Sequence, residues 1–163
     1  MTLKLPATPH AAPDDLGLDE SRLTHLVGYA ASRASIELKK AFARHMAPMQ
    51  LKTVEFSILT LVASNPGVNQ KQIGRTLDIS APNMAVTLDR LAERGWVKRV
   101  RSTSDRRAQQ IHLTPTGCEL EKRAGEIALA MEAEPLRVLS PAERALLIEL
   151  LMKVARGKPR VRT

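Results

Sequence analysis

The middle of this chain orders its elements in a way that few folds accommodate. The pattern predicts a short helix over about residues 70–77, a tight connection, and a second helix that begins after Ser80 and ends at Gly95. Serine is a favoured N-cap residue, and glycine readily takes the left-handed conformation just past a helix end. Two extended runs, 96–101 and 108–113, then flank a polar loop. Two helices followed by a β-hairpin predict a winged helix-turn-helix.

Amphipathic helices are predicted on both sides of this segment. A helical pattern begins at Asp19 and repeats apolar residues at three- and four-residue steps. Another helix, predicted over about 53–64, ends at a Pro-Gly turn. A long helix begins near residues 116–117, and Ser140 opens the last helix with a capping box. The Leu-rich stripes of the terminal helices exceed what one small core could cover, which favours a dimer.

The charge of the chain narrows the class of partner. Its 163 residues include 25 Lys and Arg against 17 Asp and Glu, a net charge of +8. Residues 71–107 hold nine cationic and four anionic side chains, so they carry five of these eight charges. A basic cluster alone would equally fit a solvated surface. On a helix-turn-helix it indicates binding to nucleic-acid phosphates.

Other classes of protein lack support in the sequence. No apolar run approaches the ~18 residues of a membrane span, and the N-terminal stretch lacks the apolar segment of a signal peptide. A single cysteine fits a reducing compartment. The four histidines show no metal-ligand spacing, and no glycine-rich phosphate loop or nucleophile elbow occurs. We expect a cytoplasmic, nucleoid-associated protein that is not an enzyme and holds no metal or cofactor.

Three motifs give this organisation a family likeness. They are LDRLAERGWV at the end of the second short helix, DRR in the polar loop, and HLTPTG at the entry to the next helix. Together with the flanking helices they closely resemble the MarR family of bacterial transcriptional regulators, over about residues 20–156. The start of the helix near residue 53 departs from the family pattern. There the family often has a Leu-Thr pair and a Gln, whereas residues 51–55 read LKTVE.

The resemblance implies a mainly α fold, with an α+β winged helix-turn-helix between dimerisation helices. It implies an obligate homodimer on pseudo-palindromic double-stranded DNA, with half-sites about one helical turn apart and no membrane partner. The predicted regions are a flexible N-terminal arm at 1–17, a dimerisation helix and loop at 18–50, the DNA-binding region at 51–115, dimerisation helices at 116–156 and a basic tail at 157–163.

Candidate DNA contacts follow from the second short helix and the hairpin. The N-terminal half of the helix that begins after Ser80 would face bases in the major groove. The candidate residues there are Ser80, Ala81, Asn83, Ala85 and Val86. Asn83 could bond an adenine or instead cap the helix, and Val86 could pack on a thymine methyl. Predicted contacts to the DNA backbone are Lys71, Gln72, Arg90, Arg99 and Arg101.

Two residues of the predicted hairpin loop take their roles from the resemblance. By that resemblance, Arg107 reaches the minor groove. Asp105 either holds a wing arginine, Arg99 or Arg101, or simply forms the turn. Trp96 is expected to pack the wing onto the helices.

The resemblance also implies a small-molecule effector that releases a repressor from DNA. A cation among Met and aromatic neighbours would suit an aromatic carboxylate or its acyl thioester, and the candidate residues are Tyr29, Arg33, Arg44, His45, Met46, Met49 and Phe56. One alternative is an architectural DNA-binding protein without an effector. Another is a thiol redox sensor at Cys118, whose competing interpretation is a small buried filler.

Overall fold

A computed structural model of the protein describes residues 18–101 and 109–157, and within them the predicted order of elements is confirmed. The elements are α1 (Val27–Met46), α2 (Thr53–Ser64), α3 (Gln70–Leu77), α4 (Ala81–Glu93), β1 (Val97–Arg101), β2 (Gln109–Leu113), α5 (Pro115–Met131) and α6 (Pro141–Arg156). A 3-10 turn, Ala47–Met49, lies between α1 and α2. The predicted arm at 1–17, and all of the basic tail after Gly157, fall outside the described residues.

Helix α1 crosses from one compact unit, which ends at Ile36, into a second, which begins at Glu37. The prediction that the helix begins at Asp19 is wrong, because a turn occupies residues 21–25. The Ser21 backbone N–H donates to Asp19 Oδ1 at 2.9 Å and closes that turn. Hydrogen bonds from Ser21 lower the pKa of the Asp19 carboxyl because they favour its charged form. The Asp19 side chain thus stabilises a turn at residues 21–25, where the apolar spacing predicts a helix.

The core of the second unit is built from the apolar stripes of its helices. In α4, Met84, Leu88 and Leu91 are fully buried, which confirms the stripe read from the sequence. They pack with Ile58 and Leu59 of α2 and with further buried side chains of α3, β2 and α5. Burial of these side chains holds α4 in place, and its opposite face remains open to solvent.

The hairpin that forms the wing is antiparallel, and Val97 pairs with Leu113 at its base. The segment before α3 adds a third, short piece of sheet. The Ile111 N–H donates to the Val68 carbonyl at 2.8 Å, and Asn69 forms a bridge with Gln110. The wing is therefore joined through its backbone to the entry of α3. Residues 102–108, which connect the two strands in the sequence, lie outside the described part of the chain.

Local signals set several helix ends as predicted. The Asn69 and Gln72 side chains form a capping box at the start of α3, with both hydrogen bonds at 2.9 Å. Ser140 and Glu143 form another at α6. Gly95 follows α4 with a φ of 70°, the left-handed conformation expected of it. Ser80 is the N-cap residue of α4, but its side chain makes no capping hydrogen bond there, so that part of the prediction is wrong.

Helix α6 leaves a large apolar surface uncovered within one chain. It buries none of its own residues. Its exposed apolar side chains are Leu146, Leu147, Ile148, Leu150, Leu151, Met152 and Val154, with exposed fractions between 38% and 72%. Such a continuous apolar surface is typical of a protein–protein interface. Among the described residues, no helix is both long and apolar enough to cross a membrane.

Candidate nucleic-acid interface

The solvent face of α4 carries the side chains predicted to read DNA bases. Ser80, Ala81 and Asn83 are exposed, and Val86 is 60% exposed although it is apolar. Ala85 is half-buried and lies at the edge of this face. Asn83 is the third residue of α4 and does not occupy the N-cap position, which removes the competing interpretation of it as a capping residue.

A tight turn fixes the angle between α3 and α4. Asp78 takes the left-handed conformation with a φ of 53°, and the Ile79 N–H donates to the Gly74 carbonyl at 2.9 Å. A Cβ on Gly74 would lie 3.1 Å from the Ile79 carbonyl, so the close approach favours glycine. Gln70 Nε2 donates to the Ala81 carbonyl at 3.4 Å and links the starts of the two helices.

Two residues of α3, Lys71 and Gln72, were predicted to contact the DNA backbone, and their side chains have different surroundings in the structure. Lys71 is exposed in the first turn of the helix. Gln72 is exposed as well, but its Oε1 accepts the Asn69 N–H at 2.9 Å in the capping box. The Gln72 side chain therefore already has a structural role at the start of α3, whereas the predicted phosphate contact of Lys71 stays a prediction.

Arg90 faces a buried carboxylate that the sequence analysis did not single out. Its Nη1 lies 3.4 Å from Oε1 of Glu55, a side chain with no exposed surface. Arg94, one turn further along, lies 3.6 Å from the other oxygen of Glu55. The predicted phosphate contact of Arg90 thus competes with an internal ion pair. Glu55 stands three residues after the N-cap of α2, and that position was the only local signal that could have drawn attention to it.

The wing begins against α4 through side chains near the helix end. The Arg94 guanidinium lies over the Trp96 ring, 3.6 Å from its centroid, and Trp96 packs against the core. Thr116 Oγ1 donates to the Gly95 carbonyl at 2.9 Å, which ties the start of α5 to the same place. The predicted packing role of Trp96 is confirmed. The LTPTG sequence connects the start of α5 to the start of the hairpin through this hydrogen bond.

Two arginines of the wing, Arg99 and Arg101, lie within the described residues. Arg99 Nη1 lies 2.6 Å from Oδ1 of Asp89, so an acid of α4 holds this arginine. Arg101 is exposed at the end of β1. Asp105 and Arg107 fall outside the described residues, and their predicted roles stay predictions.

The residues predicted to line an effector pocket do not share one environment. Tyr29 and Arg33 belong to the first unit, where the Tyr29 hydroxyl donates to Glu20 Oε2 at 2.6 Å. In the second unit Met46 has no exposed surface and packs in the core, and its predicted place in an effector pocket stays a prediction. Phe56 packs against Phe42, with ring centroids 5.8 Å apart.

Other members of that predicted set lie nearer the surface. Arg44 pairs with Glu134 at 3.3 Å and borders a groove of about 320 Å³ between α1 and the connection after α5. His45 Nδ1 is 2.9 Å from the Ala41 carbonyl, and Met49 is half-buried in the turn after α1. A larger groove of about 780 Å³, beside α3, includes none of the predicted effector residues.

Cys118 is exposed in the first turn of α5, so the interpretation as a buried filler is wrong. Within the described ranges no group of three His, Cys, Asp or Glu side chains could hold a metal ion.

Comparison with known proteins agrees with this geometry. The model of the MarR family matches residues 49–108, from the turn after α1 through the wing loop. The HTH-type transcriptional regulator PecS of Dickeya dadantii is 30% identical over 126 residues, which cover 76% of this chain and 76% of PecS. The chain belongs to the MarR family. Members of this family are DNA-binding transcriptional regulators that act as dimers.

Two solved structures resemble this MarR-family chain along most of its length. One is the transcriptional repressor CouR bound to a 23-mer DNA duplex, 37% identical with a TM-score of 0.80, covering 85% of this chain and 98% of that one. The other is CouR bound to p-coumaroyl-CoA, 34% identical with a TM-score of 0.78, covering 86% and 99% of the two chains. The predicted family and fold class are confirmed.

Proposed function

We propose that the protein is a dimeric repressor that binds a pseudo-palindromic operator and is released by a small aromatic effector, either a carboxylate or its acyl-CoA thioester. The observation that carries the proposal is the exposed face of α4, which presents an amide at Asn83 and an uncovered apolar side chain at Val86. An amide can bond adenine in two places, and an apolar group can meet a thymine methyl. The similarity to CouR bound to DNA supports the same role.

Contacts to the DNA backbone are proposed for Lys71 and for the arginines of the wing. Lys71 of α3 and Arg101 of β1 are exposed, and Arg99 is held by Asp89 of α4. Phosphate contacts of this kind set the register of a protein on DNA without reading sequence. We further propose that the exposed apolar face of α6 joins the two copies, which act at the nucleoid in the cytoplasm.

The effector class rests on chemistry and on one relative. The relative CouR binds p-coumaroyl-CoA, whose phosphates and aromatic acyl group require cations and apolar surface together. Arg44 borders a surface groove, and Met49 lies near the same end of α1. Arg33, in the other unit, is a further candidate cation. An anionic ligand at Arg44 would have to displace its pairing with Glu134.

The test is fluorescence anisotropy on a duplex that the wild-type protein enriches from a random library, with a scrambled duplex as control. We expect tight binding of one dimer to the enriched duplex only. Addition of p-coumaroyl-CoA should weaken it by about 5- to 150-fold, the usual range of allosteric coupling. The same titration with coenzyme A alone and with p-coumarate alone distinguishes the effect of the nucleotide part of this ligand from the effect of its aromatic part.

Different results would lead to different conclusions. Equal binding to both duplexes, lost together as salt rises, contradicts sequence-specific regulation and favours an architectural DNA-binding protein. Unchanged affinity with each of the three ligands contradicts the proposed effector class. Unchanged ligand binding by Arg33→Ala or Arg44→Ala removes that arginine from the effector site.

A further inference from the structure

A buried carboxylate lies where the start of α2 meets the end of α4, and the proposed function does not use it. Glu55 has no exposed surface, and its Oε2 accepts the Lys52 backbone N–H at 3.0 Å. Arg90 and Arg94 approach its two oxygens at 3.4 and 3.6 Å. A charge removed from water is costly unless it is paired and hydrogen-bonded, so the two arginines are required partners of this carboxylate.

Arg94 connects this carboxylate to two further parts of the chain. Its Nη1 donates to the Gln50 carbonyl at 2.9 Å, and its Nη2 donates to the Met49 carbonyl at 3.2 Å. The same guanidinium covers the Trp96 ring at the start of the wing. A planar guanidinium can serve several partners at fixed angles, which a lysine ammonium cannot do. One side chain therefore holds the connection after α1, the start of α2 and the start of the wing together.

We propose that Glu55 is a positioning residue for DNA recognition. Through Arg90 and Arg94 it fixes the C-terminal end of α4, and with it the wing, against the connection between α1 and α2. The proposal rests on the proposed function, since it concerns how the same helix meets DNA. Met49 is a candidate effector residue, and its carbonyl accepts a hydrogen bond from Arg94. The cluster of Glu55, Arg90 and Arg94 therefore also connects this candidate effector residue to α4.

The length of α4 explains why its far end matters. Asn83 and Arg94 are eleven positions apart, which corresponds to about 16 Å along a helix axis. A tilt of about 5° at the Arg94 end would move Asn83 by about 1.4 Å, enough to break a hydrogen bond to a base. Loss of the carboxylate would permit such a tilt, because two adjacent guanidiniums would then repel each other without an anion between them.

Simple electrostatics makes the opposite prediction, and this separates the two explanations. If Glu55 only reduced the positive charge near DNA, its neutralisation would free Arg90 for a phosphate. Binding would then become tighter, on specific and scrambled duplexes alike. If Glu55 positions α4, neutralisation weakens binding to the specific duplex only.

The experiment compares Glu55→Gln, Arg94→Lys and a control, Glu93→Gln. The first keeps the shape and an acceptor for the Lys52 N–H but removes the charge, and the second keeps the charge but loses the planar fork. The control removes a carboxylate from an exposed position on the same helix. Each is measured by anisotropy on the duplex enriched by the wild-type protein and on its scrambled version, after circular dichroism shows it folded.

We expect both cluster variants to bind the enriched duplex about 5- to 150-fold more weakly, the range for loss of one base-reading contact. Affinity for the scrambled duplex should stay equal or rise, and Glu93→Gln should behave as wild type. Trp96 is the only tryptophan of the chain, so its fluorescence reports the cluster directly. Acrylamide should quench it more strongly in Arg94→Lys, because the covering guanidinium is lost.

Two results would overturn the proposal while the proposed function stands. One is that Glu55→Gln binds the enriched duplex as tightly as wild type or more tightly. The other, decisive if Glu55→Gln does not fold, is that Arg94→Lys keeps both wild-type affinity and wild-type quenching. If the wild-type protein itself does not distinguish enriched from scrambled duplexes, it is the proposed function that fails.

Discussion

Two neighbouring residues of α4 should separate folding from DNA binding. Leu88 has no exposed surface, whereas Val86, two positions earlier, is 60% exposed. Truncation of a fully buried leucine to alanine costs about 2–5 kcal/mol of stability, because it removes apolar contacts and leaves a cavity. For a chain of this size each kcal/mol lowers the melting temperature by about 2–4 °C, so Leu88→Ala should melt about 4–20 °C below wild type.

Val86→Ala should give the opposite pattern. A substitution at an exposed surface position usually changes stability by less than about 0.5 kcal/mol, so we expect a wild-type melting temperature. If the side chain packs on a thymine methyl, the loss of its two methyl groups should cost about 1 kcal/mol of binding, or about fivefold in affinity for the enriched duplex.

The assay is thermal unfolding by circular dichroism together with anisotropy, at one protein concentration because dimer stability depends on concentration. The reasoning would be refuted if Val86→Ala melted several degrees lower and bound DNA normally, since the exposed face of α4 would then be structural. A neutral Leu88→Ala would equally contradict the assignment of the buried stripe.

Three further predictions concern other parts of the chain. Gly117→Ala should destabilise the protein by about 1–3 kcal/mol in urea unfolding, because its Cβ would collide with the Trp96 backbone carbonyl. Gly125→Ala should be neutral or stabilising, because no atom outside its own helix backbone lies within 4 Å of the added Cβ. Equal effects of the two substitutions would contradict the close packing at Gly117. Lys71→Ala should reduce the slope of log affinity against log salt by about one, and an unchanged slope would remove Lys71 from the phosphate contacts. Hydrogen bonds from the Ser140 backbone and hydroxyl lower the pKa of the Glu143 carboxyl. The stabilisation from these hydrogen bonds is therefore present at neutral pH and is lost as the pH falls through the lowered pKa of Glu143. The difference in melting temperature between wild type and Glu143→Gln should therefore disappear in acid. A difference that does not change with pH would contradict this.

Sequence alone predicted those features that local physics controls. The buried stripe of α4 follows from the spacing of Met84, Leu88 and Leu91, and the start of α6 follows from the capping box at Ser140. The left-handed residue after α4 was predicted because Gly95 has no Cβ to oppose it. Each of these signals lies within a few residues of the feature it determines.

Sequence alone could not predict contacts between distant positions. Arg90 was assigned to a phosphate, yet it faces Glu55, thirty-five positions earlier, and only the packing of α2 on α4 brings them together. Arg99 was predicted to contact a phosphate, with Arg99 or Arg101 as a candidate partner of Asp105, and its pairing with Asp89 of α4 likewise depends on how separate elements pack. The start of α1 was misplaced for a local reason, since the turn closed by Asp19 competes with the helical pattern.

The effector site was the least predictable part. Its residues were taken from α1, the turn after it and the start of α2, and chemical type was the only criterion available. Burial then separated them, because Met46 lies wholly in the core while Arg44 lies beside an open groove. The spacing of residues along a chain does not encode which of them share a pocket, because that depends on how separate elements pack.

If α4 reads base pairs in two related half-sites, Asn83→Ala should remove one base contact from each of them. The measurement is the affinity of wild type and variant for the enriched duplex and for a complete set of its single base-pair substitutions. We expect Asn83→Ala to bind about 5- to 150-fold more weakly and to lose discrimination at one A·T pair, at the equivalent position of both half-sites. A variant that discriminates every position as the wild type does would contradict base reading by Asn83 of α4.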